Sequence, residues 1–157
     1  MLTGESYPRS AVALGGIYDF HDYRENPDTI QVLLEYGTGA KKFLTTYATC
    51  LSNGSGTSCQ VQGKRGTLEF EKNFRVTGEG VRSADAFKGT REIPGAPATI
   101  EHMTNWLDCV RRRDSKGLFA GVEAGYGHSV ACIMSTDAYW AGRRMAFDPV
   151  KRTIRPA

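Results

Sequence analysis

A short stretch of the sequence concentrates side chains that can recognise a hydroxyl-rich ligand. Residues 18–25 read Tyr-Asp-Phe-His-Asp-Tyr-Arg-Glu, which places two phenols, an imidazole, a guanidinium and three carboxylates within eight residues. Such groups donate and accept hydrogen bonds in the combination that a sugar or polyol requires. The candidate substrate-binding residues are Tyr18, His21 and Arg24. The alternative is an ordinary polar loop, because connecting segments of any fold carry polar residues.

The cysteines and the other histidines show no pattern that indicates catalysis or metal binding. The cysteines are Cys50, Cys59, Cys109 and Cys132. They have no C-x-x-C spacing, and neither His102 nor His128 forms a zinc-ligand pattern with them, so we expect buried free thiols and no metal site. A Cys50–Cys59 bridge would require an oxidising compartment. His102 is expected to be structural, and His128 to pack or cap near a helix start. A Cys/His hydrolase is the weaker alternative, because Cys109 and Cys132 lie inside predicted helices, not at an activating N-terminus.

Familiar nucleotide-binding and hydrolase motifs are absent from the sequence. The sequence lacks four such motifs: G-x-G-x-x-G between a strand and a helix, G-x-x-x-x-G-K-[ST], H-E-x-x-H and G-x-S-x-G. The run 54–58, Gly-Ser-Gly-Thr-Ser, resembles a phosphate-binding loop in composition only, because a strand is predicted after it and no helix N-terminus is there to receive an anion. We therefore expect this chain to bind neither NAD nor NADP by itself.

Composition indicates one globular domain with neither a nucleic-acid nor a membrane partner. The chain has 157 residues, 40% hydrophobic and 24% charged, with a net charge of +3. The arginines at 111–113 fall in the last turn of a predicted helix, where cations complement the helix dipole, so a solvated helix end is favoured over a nucleic-acid patch. No window reaches the roughly 18 unbroken apolar residues of a membrane span. No signal peptide is visible, so a cytoplasmic location is the default expectation.

The elements that flank the polar stretch are predicted to be strands. Residues 10–18 read as a strand interrupted by a glycine pair, and 29–36 with 41–52 read as a hairpin. A two-residue turn at Thr38-Gly39 would set Leu34 opposite Phe43. Both faces of the hairpin are largely apolar. One face carries Ile30, Val32, Leu34, Phe43 and Tyr47, and the other carries Leu33, Leu44, Ala48 and Cys50. A sheet covered on both sides is therefore predicted.

The rest of the chain is predicted to contain shorter strands followed by two helices. A second hairpin is predicted at 59–62 and 67–71, then a turn at Lys72-Asn73 and a strand at 74–77. Residues 78–97 hold one or two short edge strands. Apolar residues at 3.6 spacing predict helices over about 99–113, with Thr99 as N-cap, and about 122–141, before a last strand at 145–147. Strands first and helices last predict an α+β fold: an open, mostly antiparallel sheet of about six or more strands with both helices on one face.

Five segments, in this order and spacing, resemble the C-terminal domain of the Gfo/Idh/MocA family of nicotinamide-dependent, mostly sugar-acting oxidoreductases, bacterial type. They are Val-Ala-Leu-Gly-Gly-Ile-Tyr at 12–18, Asn-Pro-Asp-Thr at 26–29, Gln-Gly-Lys-Arg-Gly-Thr-Leu-Glu-Phe at 62–70, His-Met-Thr-Asn-Trp-Leu-Asp-Cys-Val-Arg at 102–111 and Gly-Arg-Arg-Met-Ala-Phe-Asp-Pro at 142–149. The resemblance extends over nearly the whole chain and implies an open sheet with helices on one face.

The resemblance also implies what this chain lacks. The family's Gly-rich turn, its Glu-Lys-Pro segment with the catalytic lysine and its Asp-x-x-x-His helix have no counterpart here, so no catalytic residue is carried over and NAD or NADP is expected only in a full-length protein. Residues 1–157 are then a single C-terminal domain without its Rossmann domain, inactive alone. It would serve as the substrate-side and oligomerisation part of an enzyme acting on a sugar or polyol.

The resemblance further implies a homo-oligomer formed through the sheet face, since these domains commonly pair in that way. Burial of an uncovered apolar face independently favours self-association. The alternative for the whole chain is a free-standing β-sheet module that binds a protein or a small ligand, which the same residues would encode.

Overall fold

A computed structural model describes residues 3–70, 73–95 and 98–157 and contains nine strands and two α-helices in these ranges. The strands are β1 (Pro8–Gly16), β2 (Thr29–Tyr36), β3 (Phe43–Cys50), β4 (Gln60–Gly63), β5 (Gly66–Glu69), β6 (Asn73–Thr77), β7 (Thr90–Pro94), β8 (Met145–Asp148) and β9 (Thr153–Pro156). The helices are α1 (Thr99–Arg112) and α2 (Val122–Ala141). The chain divides into two compact units, one of residues 1–54 and 118–157 and one of residues 55–117.

The first unit contains a five-stranded antiparallel sheet in the order β3-β2-β1-β8-β9. In the β2/β3 hairpin Tyr36 lies opposite Phe43 and Leu34 opposite Thr45, so the predicted Leu34/Phe43 pairing is wrong by two residues. The cause is the connection, which contains a 3-10 turn at Gly39–Lys41 instead of a two-residue turn. Because side chains alternate with a period of two, this shift leaves every residue on its predicted face.

One face of this sheet is covered by α2 and holds the core. The helix contributes Val130, Met134 and Ala138, which recur every four residues and therefore form one row along the helix. They pack on buried side chains of three strands. These are Ala11, Val32, Leu34, Met145 and Phe147. Ile133 and Trp140 are also apolar residues of α2, but they are exposed because they lie outside that row.

The second unit contains a four-stranded antiparallel sheet, β4-β5-β6-β7, and α1. The segment after β6 folds back on this sheet. Phe87 in that segment donates its backbone N–H to the carbonyl of Arg65, in the turn between β4 and β5, at 2.6 Å. Gly78 permits this return, since a Cβ atom there would lie 1.6 Å from the Phe87 carbonyl oxygen. The predicted apolar stripe of α1 exists, but its members are exposed. They are Ile100, Met103, Trp106, Leu107 and Val110.

The predicted α+β fold, with open antiparallel sheets and two helices, is confirmed. The structure differs from the prediction in two details. The strands form two sheets instead of one. Both helices were predicted on one sheet face, whereas packing on a sheet face is observed for α2. The N-cap of α1 is Ala98 and not Thr99, and β9 was not predicted. Lys72, half of a predicted turn, lies outside the described residues. Neither helix is long and apolar enough to cross a membrane.

Candidate functional site

The polar stretch singled out by the sequence forms most of the loop between β1 and β2, and Asp28 anchors this loop. The Asp28 side chain is only 1% exposed. Its carboxylate accepts backbone N–H bonds from Tyr18 at 3.0 Å, Asp19 at 2.9 Å and Phe20 at 3.0 Å. Asp28 also donates its own N–H to the carbonyl of Gly16 at 3.1 Å. The two ends of the loop are therefore tied together by one residue.

The charge of Asp28 is stabilised by this arrangement. Backbone N–H bonds from Phe20 and Asp19 hold the pKa of the Asp28 carboxyl well below its usual range, against the opposing effect of burial. A carboxylate is acceptor-only, and here three amides converge on its Oδ2 atom while a side-chain hydrogen bond from Thr29 adds to them. Sequence reasoning treated Asp28 only as part of a turn signal, and its position at the end of a Pro-Asp dipeptide was the available clue.

Two glycines explain how the loop leaves β1. A Cβ atom at Gly15 would lie 2.4 Å from the Thr29 carbonyl oxygen, so the first strand approaches the second closely here. A Cβ atom at Gly16 would lie 2.9 Å from the Tyr18 ring. The pair therefore lets the aromatic ring of Tyr18 lie across the end of the strand while the phenol stays exposed.

Arg24 is held in place by its own loop. Its Nε and Nη2 atoms each donate to one oxygen of Asp22, both at 2.8 Å, and its guanidinium carbon lies 4.5 Å from the centre of the Phe20 ring. A planar guanidinium suits this bidentate and stacked geometry. The side-chain hydrogen bond from Arg24 lowers the pKa of Asp22 to about 2. The pair carries no net charge at neutral pH.

The three predicted substrate-binding residues share the loop but have different environments. Tyr18 and His21 are exposed, and Arg24 is partly buried and paired with Asp22. Within the described residues, no hydrogen bond or ring contact joins Tyr18, His21 and Arg24 to each other, and His21 has no side-chain partner. The structure thus places all three on one anchored segment, and of their three side chains only that of Arg24 forms a hydrogen bond within the described residues.

Two clefts lie elsewhere in the described residues. In the first unit, a cleft of about 290 Å³ is lined by the segment 4–7 and by Arg9, Phe147 and Pro149. In the second unit, a largely apolar cleft of about 320 Å³ lies beside Phe87, with Arg65 and Asp85 in its wall. Neither cleft contains a residue of the β1–β2 loop, so the candidate site is a surface site.

Several predictions about cysteines and histidines require correction. Only Cys109 is buried, whereas the other three cysteines are exposed and all four are free. His128 neither packs nor caps, since the N-cap of α2 is Gly121 and the imidazole is exposed. Its Nε2 atom lies 3.5 Å from Sγ of Cys132, one helical turn away. The spacing of four residues inside a predicted helix was the signal for this pair.

The face of the five-stranded sheet opposite α2 remains uncovered within the first unit. Its exposed apolar side chains are Val12, Leu14, Leu33 and Leu44, between 38% and 78% exposed. We call this set the open sheet face. A charged group adjoins it, in which the Glu35 carboxylate lies 3.4 Å from Arg144 and 3.5 Å from Lys42. Arg144 also donates to the hydroxyl of buried Ser10 at 2.6 Å.

The comparisons with known proteins give no family. No family model, curated protein or solved structure matches this chain significantly. Within the described ranges, no group of three or more His, Cys, Asp or Glu side chains is placed to hold a metal ion. Both described sheets are antiparallel, and neither described helix belongs to the strand-helix-parallel strand unit with a Gly-rich turn that binds dinucleotides in Rossmann folds.

Proposed function

We propose that this chain is the substrate-side and oligomerisation domain of a Gfo/Idh/MocA-like oxidoreductase acting on a neutral sugar or polyol, and that it has no turnover alone. The observation that carries the proposal is the anchored β1–β2 loop, which presents Tyr18, His21 and the Asp22–Arg24 pair on a fixed backbone. The resemblance of five ordered segments to that family adds support, because these segments fall on or beside strands and helices of the α+β fold.

The chemistry of the loop favours a neutral ligand over an anion. Arg24 already has a bidentate carboxylate partner, so an anionic ligand would have to displace Asp22 from two bonds of 2.8 Å. Adjacent hydroxyl groups can instead accept from the remaining guanidinium N–H groups and donate to the free lone pairs of Asp22. The exposed phenol of Tyr18 adds one more donor and acceptor. This is the pattern of a sugar or polyol subsite.

In this proposal the nicotinamide cofactor is bound by another domain, since the described sheets lack the Rossmann arrangement. No step of hydride transfer is therefore assigned to the residues of this chain. Their contribution is to bind the substrate and to fix its orientation towards a cofactor held by another domain.

The oligomerisation role is supported by the open sheet face. A soluble monomer seldom exposes an apolar patch beyond about 300–600 Å². A second copy of the chain is the proposed occupant, because the adjoining charged group contains both signs, Glu35 with Arg144 and Lys42, and can meet its own copy across a two-fold axis. A homo-oligomer built in this way would bury the leucines of both copies.

The substrate part of the proposal is tested by NMR titration of the chain with neutral polyols and aldoses, with sugar acids as matched anionic ligands. We expect shifts confined to amides of residues 17–28 with the neutral ligands, and smaller shifts with the acids. Shifts that cluster on another surface would instead favour a free-standing binding module. No shift with any neutral ligand would contradict the substrate assignment.

A further inference from the structure

The exposed pair His128 and Cys132 on α2 has the geometry of a metal chelate. The two residues are one turn apart on the same side of the helix, with Cys132 Sγ 3.5 Å from His128 Nε2. Both side chains are exposed, while the buried row of α2 runs through Val130, Met134 and Ala138. The pair thus lies outside the core, and its two side chains are within hydrogen-bonding distance of each other.

The sulfur-to-nitrogen distance matches the bite of one tetrahedral ion. Zn–S and Zn–N bonds of about 2.3 and about 2.0–2.1 Å, at a tetrahedral angle, separate the two ligand atoms by about 3.6 Å. The observed distance is 3.5 Å. The distance between the two ligand atoms is therefore compatible with one ion bound to both. Thiolate and imidazole are also the ligand types that borderline divalent metals prefer.

The other cysteines lack this arrangement among the described residues. Cys50 Sγ lies 3.4 Å from the hydroxyl of Ser52, and buried Cys109 accepts from the amide of Asn105 at 3.8 Å. Neither is paired with a histidine. A hydrolytic Cys–His dyad is disfavoured, because Cys132 is in the middle of α2, where backbone N–H groups are used by the helix and cannot form an oxyanion hole.

We propose that His128 and Cys132 form a two-residue chelate for a borderline divalent transition metal such as Zn²⁺, with water in the remaining coordination positions. On binding, Cys132 loses its thiol proton to solvent and both ligand atoms donate an electron pair to the ion. This site is separate from the β1–β2 loop, and its existence does not depend on the proposed oxidoreductase function.

The test is a titration of the reduced full chain with Co²⁺. Thiolate ligation gives a charge-transfer absorption in the near ultraviolet, and we expect it to saturate at one equivalent and to disappear when Zn²⁺ is added. Cys132→Ser should abolish the band. His128→Gln should weaken Co²⁺ binding by about tenfold or more. Both positions are exposed, so circular dichroism should show unchanged helix content.

Two controls separate the chelate from general thiol binding. Cys59→Ser removes another exposed cysteine and should leave the titration unchanged. The double variant Cys132→Ser with Ile133→Cys keeps one thiol and one imidazole on α2 but rotates the thiol by about 100° around the helix, so it should not restore the band. Absence of the band in the natural chain, its persistence in Cys132→Ser, or its restoration in the double variant would overturn the proposal.

Discussion

The carboxylate of Asp28 accepts the backbone N–H of Phe20 at 3.0 Å, across eight residues of chain. The amides of Tyr18 and Asp19 donate to the same side chain. Asp28, the last residue of the twelve-residue connection, therefore holds the first residues of that connection in place. Loops of this length are ordinarily among the more mobile parts of a fold. Here the mobility is limited at the base, and the tip retains the exposed groups proposed to contact the ligand.

The first prediction concerns Asp28→Asn. The neutral amide keeps the size of the side chain but removes its negative charge, so the three N–H bonds that converge on Oδ2 lose their charge assistance and become weaker. We expect the amides of Tyr18, Asp19 and Phe20 to exchange hydrogen at least about tenfold faster while the β1/β2 ladder keeps its protection. Exchange measured by NMR decides this. Asp19→Asn, an exposed control, should leave these rates unchanged, and equal rates in both variants would contradict the anchoring role.

The second prediction is the pH dependence of the same loop. The pKa values of Asp22 and Asp28 are both lowered in the folded protein from the ordinary value of 3.8, that of Asp22 to about 2. A carboxyl whose pKa is lower in the folded state stabilises that state above its unfolded pKa, and the effect is lost as the pH falls. We expect the loop amides to keep their protection down to about pH 4 and to lose it progressively towards pH 2. Protection that disappears already near pH 6 would contradict this assignment.

The sequence predicted the local elements of this fold well because their signals are local. The bounds of α2 follow from apolar residues bounded by Gly121 and Gly142, and β2 follows from an apolar run ended by Gly37. The two faces of the hairpin were predicted correctly although its turn was not, because the true register differs from the predicted one by an even number of residues. These features depend on the spacing of apolar residues and on the glycines that end each element, and both can be identified in a single sequence.

The features that were missed depend on contacts between distant residues. The anchoring role of Asp28 requires three amides eight to ten residues away, and no spacing rule indicates them. The division of the strands into two sheets depends on pairing partners, such as Ala11 opposite Met145. Tertiary pairing decided both of these outcomes. The His128/Cys132 pair is different, because its spacing of four residues inside a predicted helix was a local signal.

The third prediction concerns the charge balance of the loop. Asp22→Asn leaves the Arg24 guanidinium without its carboxylate partner and adds one positive charge to the loop. If the loop binds polyols, we expect affinity for a sugar acid to rise relative to the matching neutral sugar by about two- to fivefold, the range for exposed ion pairs. Competition titrations followed by NMR measure this ratio. Glu25→Gln, which removes a neighbouring carboxylate, should change the ratio less.

The fourth prediction is that the chain alone binds neither NAD(H) nor NADP(H). Pyrophosphate recognition needs close-approaching glycines and a helix N-terminus after a strand of a parallel sheet, and both described sheets are antiparallel. Isothermal titration of the chain with each dinucleotide should give no resolvable heat of binding. A sub-millimolar affinity for either cofactor would show that an unrecognised phosphate site exists.

The last prediction separates the two faces of the five-stranded sheet. Leu44 is 62% exposed on the open sheet face, whereas Val32 is 1% exposed beneath α2. Light scattering after size exclusion, at micromolar concentration, should give the natural chain at least twice the 17.2 kDa mass of one copy.

Leu44→Asp should yield the single-copy mass with little loss of stability, because exposed substitutions usually change the free energy of unfolding by about 0.5 kcal/mol or less. Val32→Asp should instead destabilise the fold by about 4 kcal/mol or more, since it buries an unpaired charge. Tyr47→Asp is the matched control, because Tyr47 is also exposed on β3 but faces the other side of the sheet, and it should leave the mass unchanged. A natural chain of 17.2 kDa, or a Leu44→Asp variant that keeps the larger mass, would remove the open sheet face as the interface.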